Sequence, residues 1–231
     1  MREPALVTLH VWGVRRQRIP AALARMALHR RPLATGPDRP GFARLLGTGH
    51  GRTFAVRDAD LGHWALLASW PAAALADRFE RGPVVRSWDR IAHERLRVAM
   101  HPLSSRGEWA GRRPFGEPAA RAHEGPVAAL TRARIAPRRA VAFWRSVPPV
   151  AADLQDRPGV RLALGIGDAP VGWQGTFSLW DSAQALHGFA YAGEPHVAAV
   201  RRTATVGWYA ESLFARFAVA SVEGTYDGRV P

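Results

Sequence analysis

The chain has no cysteine, so no thiolate can hold zinc, an iron–sulfur cluster or haem, no thiol can act as a nucleophile, and no disulfide can form. The groups left to ligate a redox metal are nine histidines, three tyrosines, three methionines and the carboxylates. Hydrolytic chemistry has no anchor either, because the sequence contains no Gly-x-Ser-x-Gly elbow, no His-Glu-x-x-His zinc helix and no evident carboxylate pair. Gly165-Ile166-Gly167 resembles a phosphate loop only superficially: no Lys-Ser/Thr and no dinucleotide spacing follows, and the segment reads as a turn. One histidine stands apart by its place. His196 follows Pro195, a residue suited to the first position of a helix, so its ring falls in the first turn. Taken singly, such a histidine caps or decorates a surface helix.

The elements around His196 belong to a pattern that occurs twice. Trp70 and Trp180 each end an alternating, strand-like stretch, and each is followed by a helix carrying Phe79 or Phe189. Both pairs are 110 positions apart, since 180 − 70 = 189 − 79 = 110. Each helix breaks at a glycine, and a second helix starts at Pro83 or Pro195, which aligns Val84 with His196. The histidine is thus confined to one copy, as expected for a single site on a duplicated frame. Upstream, strands over 5–14 and 127–135 precede helices over 20–29 and 138–147, and further strands cover 42–49 and 160–167. Closing strands are expected near 96–100 and 214–222.

The order β-α-β-β-α-(α)-β is the ferredoxin-like one. It predicts an α+β protein of two tandem ferredoxin-like half-domains, packed sheet against sheet as a dimeric α+β barrel-like body within one chain. The N-terminal half, residues 1–110, is structural; 111–125 is a linker rich in Gly, Pro, Arg and Glu; the C-terminal half, 126–231, carries the site. Trp70 and Trp180 are expected as core anchors at strand ends.

The formal charge of +13 would suit a polyanion, but every one of the 32 basic residues is arginine and no basic run reaches five. A solvated surface is therefore expected and nucleic-acid binding is not. With no signal-peptide pattern in MREPALVTLHVWGV and no apolar stretch near 18 residues, a cytoplasmic protein is expected.

Several ordered stretches carry a family likeness. GFARLLGTGHGRTF (41–54), the segment 102–115, GPVAALTRARI (125–135) with Phe143-Trp144, GIGDAP (165–170), TFSLW (176–180), Phe189-Ala190 with His196, and GWYAESLFARFAV (207–219) resemble the spheroidene monooxygenases, the acyclic carotenoid ketolases. The likeness covers nearly the whole chain. It departs where the family reads Phe-Trp-Lys and this chain has Phe42-Ala43-Arg44, a difference that bears on the substrate cavity.

The resemblance implies a haem-dependent monooxygenase that oxygenates an apolar, polyene-like small molecule, using haem b and an external electron donor. His196 becomes the axial iron ligand, with Val200 and Thr203 following at helical spacing beneath the ring and His187 and His123 as spare candidates. A neutral histidine lacks the electron push of a thiolate, so oxygen activation needs a fixed donor on the open side. Arg132 is the preferred residue there. Gln174, Thr176 and Ser178 share one face of the next strand but one, and Trp144 and Trp208 are candidate pocket walls. Competing readings are a haem enzyme of another class, aldoxime-dehydratase-like or nitrogen-oxidising in secondary metabolism, and a non-enzymatic haem or apolar-ligand binding protein. A carotenoid lives in lipid, so transient membrane contact assisted by arginine is expected; a homodimer is compatible with all of these.

Overall fold

The computed structural model describes residues 4–36, 38–50, 58–119, 122–135, 154, 157–168, 173–192 and 209–231. Among the described residues there are eight strands: β1 Leu6–Val14, β2 Phe42–Gly49, β3 Ala59–Trp70, β4 Ala92–Gly107, β5 Val127–Ile135, β6 Val160–Gly167, β7 Trp173–Trp180 and β8 Tyr209–Gly224. The described helices are α1 Ile19–Leu28, α2 Arg30–Thr35, α3 Ala73–Glu80, α4 Pro83–Asp89 and α5 Ala183–Ala192. None is long and apolar enough to cross a membrane. The helix expected over 138–147 and the one expected to start at Pro195 lie outside the described residues.

The strands form one closed antiparallel barrel in the order β1-β3-β2-β6-β7-β5-β8-β4. Strands from the first part of the chain are contiguous in the ring, as are those from the second. Two seams join the sets. At one, Gly47, Thr48 and Gly49 pair with Gly167, Ile166 and Gly165. At the other, β4 and β8 run side by side from Leu96 opposite Gly224 to Gly107 opposite Leu213. The expected pair of stacked sheets is therefore hydrogen-bonded into a continuous ring, which leaves no open sheet edge. Gly165-Ile166-Gly167 is correspondingly strand, not turn. A Cβ on Gly165 would lie 3.4 Å from the Gly49 carbonyl oxygen, so the small residues serve the close approach of β6 to β2.

β1 is buried on both faces along its whole length, and period-two alternation sorts it into two cores. Val7, Leu9 and Val11 point into the barrel with Phe42, Leu67, Met100, Leu130, Leu164, Phe177 and Phe217, filling the lumen. Leu6, Trp12 and Val14 point outward, where Trp64, Trp70, Phe79, Val84 and Trp88 join them beneath α1, α3 and α4. A smaller outer cluster on the second part of the chain contains Val127, Trp180, Leu186 and Phe189 under α5. Trp70 and Trp180 are both fully buried, and each packs on the phenylalanine of its following helix, at 4.9 Å for Phe79 and 5.4 Å for Phe189.

Candidate functional site

Arg132 lies inside the barrel. It is 2% exposed, on the same strand face as Ala128 and Leu130, which line the lumen. Its guanidinium hydrogen-bonds to Glu211, stands 3.8 Å from Asp168, and lies 5.2 Å from the centre of the Trp109 ring. Trp109 donates its indole N–H to Asp168 at 2.8 Å and packs against Phe42. Arg44 reaches the same place, 4.7 Å over the Phe42 ring and 4.0 Å from Asp168. The segment after β4 thus folds back into the barrel mouth with Trp109 and Phe115 fully buried. Within the expected linker, Phe115 is part of the core.

The opposite mouth is built the same way. Gly107 ends β4 at φ +95° and Gly224 ends β8 at φ +87°, a conformation only glycine adopts readily; a Cβ at either would meet a carbonyl oxygen at 2.1 or 1.9 Å. Each is followed by a tight turn closed by one bridge, Trp109 to Arg112 or Tyr226 to Arg229. Glu211 of β8 accepts the backbone N–H groups of Ala110 and Gly111, while Glu94 of β4 accepts those of Asp227 and Gly228. Corresponding residues are 226 − 109 = 211 − 94 = 117 positions apart. Tyr226 packs against the lumen core, so each mouth is closed by an aromatic ring, a capping glutamate and a cation. At the second mouth that cation is His63, its ring 4.6 Å from Tyr226.

His63 donates Nδ1–H to Asp60 at 2.6 Å and Nε2–H to Glu94 at 3.0 Å, with Asp227 at 3.8 Å. Burial opposes its charge, but the two hydrogen bonds and the carboxylate field outweigh this and push its pKa up to about 9. Glu94 is held below its usual value despite burial, by the Gly228 N–H, His63 and Thr225. Among the described residues His63, Glu94 and Asp227 form a group whose potential ligand atoms lie within 4.8 Å of one another. Both imidazole nitrogens are already engaged, which makes the group a latch on the C-terminal turn. The pH dependence follows. The raised His63 pKa makes its contribution full below 6.5, the ordinary value, and lost as pH climbs through about 9. The shift corresponds to about 3 kcal/mol. Thermal unfolding should show wild type losing stability between these limits relative to His63→Gln; parallel curves would contradict the latch.

Ser178 lies on the outer face of β7, between Phe177 and Leu179, which face the lumen, and accepts the Trp180 indole N–H at 2.8 Å. Thr176 is two positions before it, and Gln174 occupies the register position opposite Ala133. Arg132 and Ser178 are therefore on opposite sides of the sheet and do not converge on one site. The reason sequence could not show this is that both faces of β5 and β7 are covered.

The register permits a direct comparison of the two outer faces. Leu6 pairs with Trp70 as Val127 pairs with Trp180, and the same steps set Thr8 against Ala129, His10 against Thr131, and Trp12 against Ala133. On the partner strands Trp64, Leu66 and Ala68 correspond to Gln174, Thr176 and Ser178. In the first set the space under the helices is filled by indoles: Trp12 stacks on Trp88 at 5.2 Å, Trp64 lies 6.5 Å from Trp88, and His10 stacks on Trp12 at 5.3 Å. Ala133 and Thr131 put far smaller groups at the matching places.

Of the other expected residues, His187 is exposed on α5, and His123 donates to the Pro126 carbonyl at 3.1 Å in the connecting segment. His196, Val200, Thr203, Trp208 and Trp144 lie outside the described residues. The mouth residues Glu94, Glu211, Trp109 and Tyr226 went unnoticed in the sequence. Their signal is the hexapeptide Gly-x-aromatic-x-Gly-Arg, which occurs as Gly107–Arg112 and again as Gly224–Arg229.

A closed eight-stranded antiparallel barrel with helices outside defines an α+β barrel protein. The crystal structure of aldoxime dehydratase has a similar fold, with a TM-score of 0.63 at 14% identity, covering 94% of this chain and 81% of that one. Aldoxime dehydratase in complex with butyraldoxime gives a TM-score of 0.62 at 15% identity, over 93% and 79%. No protein-family model matches the chain. Its sequence is 36% identical over 216 residues to spheroidene monooxygenase of Rhodobacter capsulatus, covering 92% of this chain and 89% of that protein. It is 39% identical over 198 residues to spheroidene monooxygenase of Rubrivivax gelatinosus, over 85% and 75%. The chain belongs to the spheroidene monooxygenase family.

Proposed function

We propose that the protein is a haem-dependent monooxygenase acting on an acyclic, carotenoid-like polyene, with haem held between the sheet and the helices of its C-terminal half. On this reading the chain is two ferredoxin-like halves, 1–110 and 126–231, and only the second carries chemistry. The observation that supports it is the contrast between the outer faces. Trp12, Trp64 and Trp88 fill the first half, whereas the matching positions are Ala133, Gln174 and, by the Val84 to His196 alignment, Val200. Buried indoles each occupy roughly 150–250 Å² of surface, so their replacement by smaller side chains would leave room for a flat group. Among the described residues the lumen is packed with side chains.

The residues fit haem. Val84 is buried and joins the outer core facing the sheet, so the equivalent His196 would present its imidazole to the same layer, with Val200 and Thr203 along its helix. Ser178, Thr176 and Gln174 would face it from the sheet and supply hydroxyl and amide donors on the open side. Trp208, immediately before β8, would wall the pocket. Haem bound there by His196 would supply the redox chemistry of oxygen activation, with electrons from an external donor. Ala129, Ala133 and Ala163 would set apolar ground between these donors, which suits a hydrocarbon substrate.

The test is turnover. Reduced, haem-loaded protein incubated with an acyclic carotenoid and labelled dioxygen should place the label in a ketone, trapped by borohydride before exchange with water. An unlabelled product, or a normal haem spectrum with no oxygenated product, would refute the monooxygenase reading.

A further inference from the structure

The outward face of α1 and α2 carries a combination found on no other described helix. Between Glu3 and Asp38 the sequence has six arginines and not one carboxylate. The inner face of α1 is used: Ala22 is buried, and Ile19, Ala21 and Met26 pack on the outer core. Its outer face is apolar as well. Leu23 is 52% exposed and Leu28 70%, and the exposed Ala24 and Ala27 lie between them at i, i+4 spacing. A surface helix ordinarily turns polar side chains outward.

Arginines frame this stripe, with Arg15, Arg16 and Arg18 before it and Arg30 and Arg31 after it, all exposed. Among the described residues none of these five pairs with a carboxylate, whereas Arg78, Arg95, Arg97, Arg113 and Arg132 all do. Arg25 ties α1 to α4 through the Ser87 carbonyl at 2.9 Å. Burial lowers its pKa, and the neighbouring Arg90 and Arg18 charges lower it further, so cations crowd here uncompensated.

We propose that the α1–α2 face docks the protein on an anionic lipid surface, Leu23 and Leu28 entering the acyl boundary and the framing arginines meeting headgroup phosphates. An apolar stripe bordered by cations matches such an interface in both its parts. The inference rests on the reading above in one respect: a polyene substrate is stored in lipid, and docking brings the enzyme to it.

Sedimentation with vesicles tests it. Wild type should bind phosphatidylglycerol vesicles at least tenfold more tightly than phosphatidylcholine vesicles at low salt, with the preference shrinking as salt rises. Leu23→Ser/Leu28→Ser should weaken binding by more than roughly tenfold, and each of Arg15→Gln, Arg16→Gln, Arg30→Gln and Arg31→Gln by about fivefold. The double leucine variant should keep turnover of detergent-dispersed substrate and lose turnover of vesicle-borne substrate. Equal binding to both lipids, variants that bind like wild type, or a wild-type dimer that the leucine variant dissociates while vesicles are ignored, would each overturn docking. Vesicle binding without turnover in either medium would instead sink the catalytic reading and leave docking standing.

Discussion

Ala133→Trp is expected to leave the protein folded and unable to take up haem. Position 133 corresponds by register to Trp12, whose indole is fully buried against Trp88. The register of β5 on β7 repeats that of β1 on β3 at this place, so the new side chain would leave the sheet in the same direction. If the layer above Ala133 is reserved for a flat cofactor, the indole fills it without straining the barrel. Uptake of haemin should fall by at least about 100-fold, the order of what displacing a well-fitted apolar group costs, while thermal stability of the apoprotein is unchanged or raised. Wild-type haem affinity in this variant would show that the cofactor does not use this layer; collapse of the fold would show that the layer is already filled.

Arg132→Leu should act in the opposite way, lowering stability and sparing haem. The guanidinium is 2% exposed and compensates Glu211 and Asp168, whose side chains are 16% and 13% exposed. Removing one member of a buried charge group costs about 3–5 kcal/mol because the partners stay behind, which for a chain of this size is roughly 10 °C in Tm. Arg132→Leu/Glu211→Leu should regain part of that loss, since no carboxylate is then left facing the vacated place, although Ala110 and Gly111 lose their acceptor. A variant as stable as wild type that binds haem but turns over slowly would return Arg132 to the open side of the cofactor.

Much of the barrel was legible. β2 and β6 fall on the expected residues 42–49 and 160–167, and β5 on 127–135, because their apolar runs are bounded by Gly and Pro. β4 and β8 are each 16 residues long, well beyond the expected 96–100 and 214–222. Much of the extra length of β4 is polar, as in His101, Ser104 and Arg106, and is held by the ladder with β8 across the seam. No local pattern announces such pairing. Alternation showed that Arg132 and Ser178 each share a face with particular neighbours, but could not tell lumen from helix layer, since both faces of these strands carry polar groups. The mouths escaped notice because their chemistry depends on Glu211 and Glu94 reaching turns about 100 and 133 residues away in sequence. His196 was singled out by its absence from the first copy, where Val84 stands.

The absorption spectrum of the reconstituted protein tests the central claim most directly. Titrating apoprotein with haemin should give wild type a sharp Soret band saturating at one haem per chain, and His196→Ala, folded by circular dichroism, should lose that band or shift it to that of free haemin. No Soret band in wild type, or the same band in His196→Ala, would contradict a haem held by this histidine in the C-terminal half.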